Sequence, residues 1–514
     1  MLKRPLEGLD YHLIVTHLQD HIRDKEQWKK KSKMPPSLNT LPGTMNEASA
    51  EVSPRRFLKT RAAAGRRKRW LMSQTLGWPL FDPISSWMLR RLYLPSSRLW
   101  AAAHLAEGSL QRFCDAVPMP RRIGNSSRLE AALARFDRAR VAAAAIETEW
   151  QRVFFGPEDI SPAYRSAVEA ARLDATHAYY AARKNFAFLI GRNVPAINLE
   201  IESPESVAQI YGNARDDFAP FVAMPNPMPE VQVSRAIRSS LGKDYWLRFK
   251  SPSSRLGDTV YARVHEPQGV IDPPTIIYGH GVCVEFDHWR GLIEETYNLC
   301  AAGFRVIRPE APWHGRRQPR GFFGGERLMA VFPTGSIDAL SGAVREWAVL
   351  ADWSRKTSRG TLSFGGTSLG ALTAQLAADR AHKWEERLRP EGLFLITHSA
   401  SMTDIVMQGE ISKLFDGTET AKTKGWTIDT LSAYFRLLDP SHSPPVAPDK
   451  IVTLLGKRDT VTPFNSALPL VQSWGVPKEN MFVWDRGHFS VPMTLIRDQR
   501  PIRRFCAVMG STDR

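Results

Sequence analysis

The residues most able to do chemistry begin at Phe364-Gly365-Gly366-Thr367-Ser368-Leu369-Gly370-Ala371. The pattern G-x-S-x-G, with an apolar run before it and a helical pattern after it, describes a serine on a sharp strand-to-helix turn. Side chains at Gly366 or Gly370 would collide across such a turn, so glycine is required there. The turn exposes the serine Oγ at the carboxyl edge of a sheet. It also aims the next backbone N–H, that of Leu369, at a developing oxyanion near a helix N-terminus. Serine is a weak nucleophile without a base. The base and its orienting acid follow in the order Ser, acid, His. Asp459 lies in Gly456-Lys457-Arg458-Asp459-Thr460-Val461-Thr462-Pro463, after the apolar run Ile451–Leu455. His488 lies in Asp485-Arg486-Gly487-His488-Phe489, after Met481–Trp484. In this arrangement His488 takes the proton of Ser368, and Asp459 fixes the imidazole tautomer and stabilises the imidazolium.

A fourth segment, Tyr278-Gly279-His280-Gly281-Val282, follows another apolar run. Its glycines allow close backbone approach, so an N–H of Gly281 or Val282 joins that of Leu369 in the expected oxyanion hole. His280 is expected to be structural. His280, His288 and His314 fit no compact zinc spacing, so a metal site is not expected. Asp404, after the strand Leu393–Thr397, is a rival acid. Asp459 is preferred because G-x-x-D-x-V-x-P places it after the penultimate strand.

The elements that must position these groups are legible beyond about Ser234. Tyr245–Phe249 and Val260–Val264 alternate as half-buried strands. Short buried runs then alternate with helices: Thr275–Tyr278, Phe304–Arg308, Thr361–Phe364, Leu393–Thr397, Ile451–Leu455 and Met481–Trp484. That alternation predicts an α/β fold, a mostly parallel sheet with helices on both faces. About fifty residues, 399–448, separate two of the strands. They contain helical stretches at Ile411–Phe415 and Leu431–Leu438 and are expected to form a lid.

Residues 1–235 read as mainly helical, with a Pro-, Gly- and Ser-containing loop over 34–54. Arg128–Phe155 is expected to be an amphipathic helix with Leu129, Leu133, Phe136, Val141, Ala144 and Ile146 on its apolar face. Ser161-Pro162 starts another, running through Ala182. Trp70, Trp78, Phe81, Trp87, Leu92, Tyr93, Leu94 and Trp100 fit either core packing or a membrane interface. Prolines 79, 83 and 95 are expected to prevent one continuous helix there.

Together these motifs resemble the α/β-hydrolase superfamily over residues 236–514, preceded by a helical N-terminal domain over 1–235. Glu310-Ala311-Pro312-Trp313-His314-Gly315-Arg316-Arg317-Gln318-Pro319 is similar to the E-x-P-x-x-G-x-R-x-P stretch of the α/β-hydrolase-domain-containing-protein eighteen subfamily. The chain departs from relatives in having Ser-Leu-Gly-Ala, where they tend to carry a second glycine. The resemblance implies a serine esterase or lipase-like enzyme that hydrolyses an ester or related acyl bond without metal or organic cofactor.

Composition bounds the rest. With 514 residues, 43% hydrophobic and 24% charged, the chain has the balance of a folded protein of two or three units rather than a disordered one. Cys114, Cys283, Cys300 and Cys506 are too few and scattered for a disulfide scaffold, which fits the cytoplasm. No apolar run is long enough to span a bilayer. Of the net charge of +16, most falls in residues 1–240, with 35 Lys and Arg against 24 Asp and Glu. Lys29-Lys30-Lys31, Lys33 and Arg55–Arg69 are the sharpest clusters. They read as a solvated basic arm or as peripheral contact with an anionic membrane. No nucleic-acid module surrounds them, so nucleic acid is not expected. The substrate partner is a small-molecule or lipid ester. Thioester or amide hydrolysis, or a catalytically silent scaffold, are the competing readings.

Overall fold

The computed structural model describes residues 81–510 apart from 118–126, 192–193, 195–196, 213–217, 284–294 and 411–416. The basic clusters, the 34–54 loop, Trp70, Trp78, Pro79, His288 and Ile411–Phe415 lie outside the described residues.

Eight strands form the body of the main sheet: β1 (Gly242–Lys250), β2 (Thr259–Pro267), β3 (Thr275–Gly279), β4 (Arg305–Pro309), β5 (Leu362–Thr367), β6 (Gly392–Ile396), β7 (Ile451–Gly456) and β8 (Met481–Trp484). Their spatial order is β1-β2-β4-β3-β5-β6-β7-β8. β1 and β2 pair antiparallel, as do β2 and β4, and every later pairing is parallel. This is the α/β-hydrolase arrangement, extended at the β1 edge by the two-residue strands Gln232–Val233 and Ile237–Arg238.

The central strands are apolar on both faces because both are covered. Successive side chains alternate between two cores. Ile277, Ile307, Phe364 and Leu395 point to one, with Trp347, Leu350, Ala374 and Leu470. Ile276, Tyr278, Val306, Phe394 and Leu454 point to the other, with Leu299, Ile502 and Phe505.

Before the sheet, α1 (Phe81–Met88) runs through a π-helical turn, Leu89–Tyr93, into α2 (Leu94–Ala106). Over the described part of this stretch, a π-helical turn separates the two α-helices. The wide turn at 89–93 relieves the clash and lost donor of Pro95. Trp100 is buried with Phe136, Tyr180 and Phe186, whereas Trp87 and Leu92 are exposed.

α3 (Ser127–Phe155) and α4 (Pro162–Ala181) pair, and the Ser161 hydroxyl caps α4 by accepting from Tyr164 N. α3 buries its ends rather than one full stripe. Leu129, Leu133 and Phe136 join the Trp100 cluster. Trp150, Val153 and Phe154 pack on Trp246 of β1. Val141 and Ala144, expected on the buried face, are exposed. The helix bridges two cores, and among the described residues its middle is left exposed between them.

Within 399–448 the described helices are Met402–Gln408, Gly417–Thr423 and Ile428–Phe435. Trp426, Leu431, Tyr434 and Phe435 join the larger core, and Trp426 Nε1 donates to Glu202 O at 2.7 Å.

Candidate active site

Ser368 follows β5 and precedes α5 (Leu369–Arg380) with φ 57° and ψ −118°. A left-handed φ at a non-glycine residue is strained, and the local packing enforces it. A Cβ on Gly366 would lie 2.4 Å from Gly370 C, and one on Gly370 would lie 2.1 Å from Gly279 C and O. The glycines thus let the turn close on itself and let α5 press against the end of β3. Ser368 N donates to Ile396 O at 2.9 Å, tying the turn to β6.

His488 follows β8. Its Nε2 lies 3.0 Å from Ser368 Oγ and its Nδ1 2.8 Å from Asp459 Oδ2. A carboxylate only accepts, so Nδ1 carries the proton and Nε2 accepts from the serine hydroxyl. Asp459 follows β7. Its Oδ1 accepts from Val461 N and Thr462 N, both at 2.9 Å, and its Oδ2 also accepts from Thr462 Oγ1 at 2.9 Å. Ser368, Asp459 and His488 are 8%, 6% and 8% exposed, a little water contact for each and a largely desolvated environment. Asp404, the rival acid, is directed elsewhere and accepts from Ser466 Oγ at 2.6 Å.

Leu369 is the first residue of α5, so its N–H has no intrahelical partner. Gly281 and Val282 follow β3 and are half-buried. Two buried histidines fix the loop they belong to. His280 Nδ1 donates to Gly281 O at 2.8 Å, and its Nε2 accepts from Ala311 N at 3.1 Å. His314 Nδ1 donates to Pro312 O at 2.9 Å, and its Nε2 accepts from Cys283 N at 3.3 Å. Both Nε2 lone pairs are therefore spent on amides. Burial holds His280 well below the ordinary imidazole range and brings His314 down to about 4.

The Glu310–Pro319 segment supplies His314 and braces this loop from below. Glu310 accepts from Arg316 N at 2.7 Å and pairs with the Arg316 guanidinium. The fully buried Arg317 pairs with Glu346 at 2.7 Å and with Asp258 at 2.9 Å.

Among residues the motif spacing did not single out, Thr462 donates to Asp459, and Thr367 Oγ1 donates to the buried Glu295 at 3.0 Å. Asp82 contacts the segment containing His488 from α1. Thr462 was findable from its place in the Asp459 loop. Nothing in local spacing marks Asp82 or Glu295.

No protein-family model and no curated protein sequence matches the chain. Solved structures similar to it include a cold-adapted esterase from an Arctic intertidal metagenomic library, at 14% identity over 54% of this chain and 98% of that one, TM-score 0.35. They also include acetyl xylan esterase 1 from Thermoanaerobacterium sp. JW/SL YS485, at 15% identity over 58% and 96%, TM-score 0.40. A third is the acetyl xylan esterase from Paenibacillus sp. R4, at 15% over 61% and 96%, TM-score 0.39.

Proposed function

We propose that this chain is a serine hydrolase that cleaves carboxylic esters through an acyl-enzyme. The observation that carries the reading is the continuous chain Ser368 Oγ–His488 Nε2, His488 Nδ1–Asp459 Oδ2, at 3.0 and 2.8 Å, on a strained strand-to-helix turn. Ser368 Oγ attacks the ester carbonyl as His488 removes its proton. The tetrahedral oxyanion forms against the Leu369 N–H and an N–H of Gly281 or Val282. Its collapse expels the alcohol, protonated by His488. A water activated by the same imidazole then attacks the acyl-enzyme, and collapse returns Ser368 and a carboxylic acid.

On this reading residues 236–514 are the catalytic domain, 399–448 its lid, and 1–235 an accessory region whose basic segments are either a solvated arm or a peripheral contact with an anionic membrane. The likeness to the α/β-hydrolase-domain-containing-protein eighteen subfamily is carried by Glu310–Pro319, the segment that fixes the oxyanion loop. Thioester and amide substrates use the same groups and are separated by substrate profiling.

The test is labelling by a fluorophosphonate together with turnover of p-nitrophenyl esters of graded acyl length. Ser368→Ala is expected to abolish labelling and lower kcat by about 10⁴–10⁶-fold with the fold retained. Equal turnover by the two proteins would remove Ser368 from the reaction.

A further inference from the structure

The three loops that carry the site's chemistry are each tied to one short stretch of chain, residues 82–93. Asp82 of α1 reaches the loop of His488. Its Oδ1 accepts from Phe489 N at 2.8 Å and from Ser490 N at 3.0 Å, its Oδ2 from Gly487 N at 3.1 Å, and the Ser490 hydroxyl also donates to it. The backbone on both sides of the imidazole is therefore pinned by one carboxylate. One turn later, Ser86 Oγ donates to Glu410 Oε2 at 3.2 Å. The same oxygen accepts from Thr460 Oγ1 at 2.7 Å, and Glu410 N donates to Thr460 O at 2.7 Å. Thr460 is the neighbour of Asp459. At the last residue of the π-helical turn, Tyr93 O–H donates to Cys283 O at 3.0 Å, next to Val282, while the Arg183 guanidinium covers the Tyr93 ring at 4.9 Å.

From this we infer that α1 and its π-helical turn are a brace belonging to the active site, and that Asp82 is a positioning residue for His488. The inference rests on the esterase reading, because it assigns a role to contacts around that reading's base. The physical reason is the demand of proton transfer: a displacement of about 1 Å in a reacting group costs on the order of 10²-fold in rate. The loop 485–490 is bonded to the turn after β7 at Arg486, whose O accepts from Arg458 N at 2.9 Å, and the Asp82 carboxylate adds bonds on both sides of His488. Charge-assisted bonds to a carboxylate are among the strongest available to backbone amides. Gly487 is adapted to that carboxylate. The three nearest atoms to a Cβ built there all belong to Asp82, at 2.5, 2.8 and 2.8 Å.

The experiment measures kcat, KM and thermal unfolding of the full-length wild type and variants on p-nitrophenyl butyrate. Asp82→Ala is expected to lower kcat about 10²-fold with KM changed less than about twofold, because it disturbs proton transfer and leaves the acyl contacts alone. Asp82→Asn keeps an acceptor oxygen for the Phe489 and Ser490 amides and is expected to recover part of that loss. Gly487→Ala is expected to lower kcat in the wild-type background and to add little to Asp82→Ala, since the clash is with the side chain already removed.

Wild-type kcat per folded molecule in Asp82→Ala would overturn the inference. So would a loss shared equally by kcat and folded fraction, with no recovery in Asp82→Asn. If Asp82→Ala does not fold, Asp82→Asn decides in the same way: reduced kcat at constant KM supports the brace, and unchanged kcat overturns it. Absence of Ser368-dependent turnover in the wild type would sink the esterase reading itself, and the brace with it.

Discussion

At the scale of single residues, Ser368, Gly370 and three buried histidines show how packing sets chemistry. Gly370 has no room for even one carbon, because a Cβ would overlap the Gly279 peptide at 2.1 Å and that neighbour is backbone rather than a yielding side chain. Gly370→Ala is therefore expected to cost about 1–3 kcal/mol of stability and to displace Ser368 from His488. Chemical denaturation and fluorophosphonate labelling rate read the two effects separately. His398 is fully buried, bonded through Nδ1 to Gln375 Oε1 and through Nε2 to Thr453 Oγ1, both at 2.9 Å. Burial lowers it to about 4, as it does His314, and holds His280 well below 6.5. Because these groups are depressed in the folded state, the unfolded chain binds more protons as pH falls below about 6.5. The stability they confer is complete above that value and is lost as pH drops toward about 4, by up to about 1.4 kcal/mol per pH unit for each group. Unfolding midpoints measured between pH 7 and 4.5 are expected to fall accordingly, with a shallower slope in His398→Gln.

Elements decide which groups meet. Each of the three chemical side chains follows the carboxyl end of a parallel strand, Ser368 after β5, Asp459 after β7 and His488 after β8, so sheet register brings together what the chain separates. These positions were legible because G-x-S-x-G, the Asp459 loop and the His488 loop are local patterns, each anchored by an apolar run. The π-helical turn between α1 and α2 was not, because a proline's cost depends on whether such a turn absorbs it. The exposure of Val141 and Ala144 was hidden for a related reason: helical periodicity names a face but not the neighbour that covers it. α2 adds an ion pair of consequence. Arg98 Nη1 donates to both oxygens of the fully buried Glu326 at 2.8 Å. Arg98→Ala leaves that carboxylate without its cation and is expected to destabilise the protein by about 3–5 kcal/mol, measured by urea unfolding. Replacement by Lys is expected to recover only part, since Lys has no second nitrogen to replace Nη2, which donates to Gly321 O at 2.7 Å.

For the whole molecule, the N-terminal helices and the sheet share their packing. Trp150 and Phe154 of α3 cover Trp246 of β1, and Phe323 and Ala330 lie in the same cluster as Trp100 and Phe136. Truncating Trp150 to Ala removes a fully buried ring that also donates to Glu169 at 2.9 Å. It is expected to cost about 3–5 kcal/mol and to lower the unfolding midpoint of the sheet along with the helices, a single transition by calorimetry. Among the described residues no helix is long and apolar enough to cross a membrane.

The sequence by itself determined the strand–helix alternation, the glycines of the serine turn and the order serine, aspartate, histidine. Those features are written in neighbouring residues, where steric and hydrophobic periodicity act over a few positions. Only the tertiary structure decided that Asp82, 405 residues before Gly487, holds the loop of the imidazole, that His280 and His314 serve as neutral acceptors, and which of Asp404 and Asp459 faces His488. A hydrogen bond between distant segments leaves no spacing to read, because its partners are brought together by the packing of the sheet and not by the chain between them.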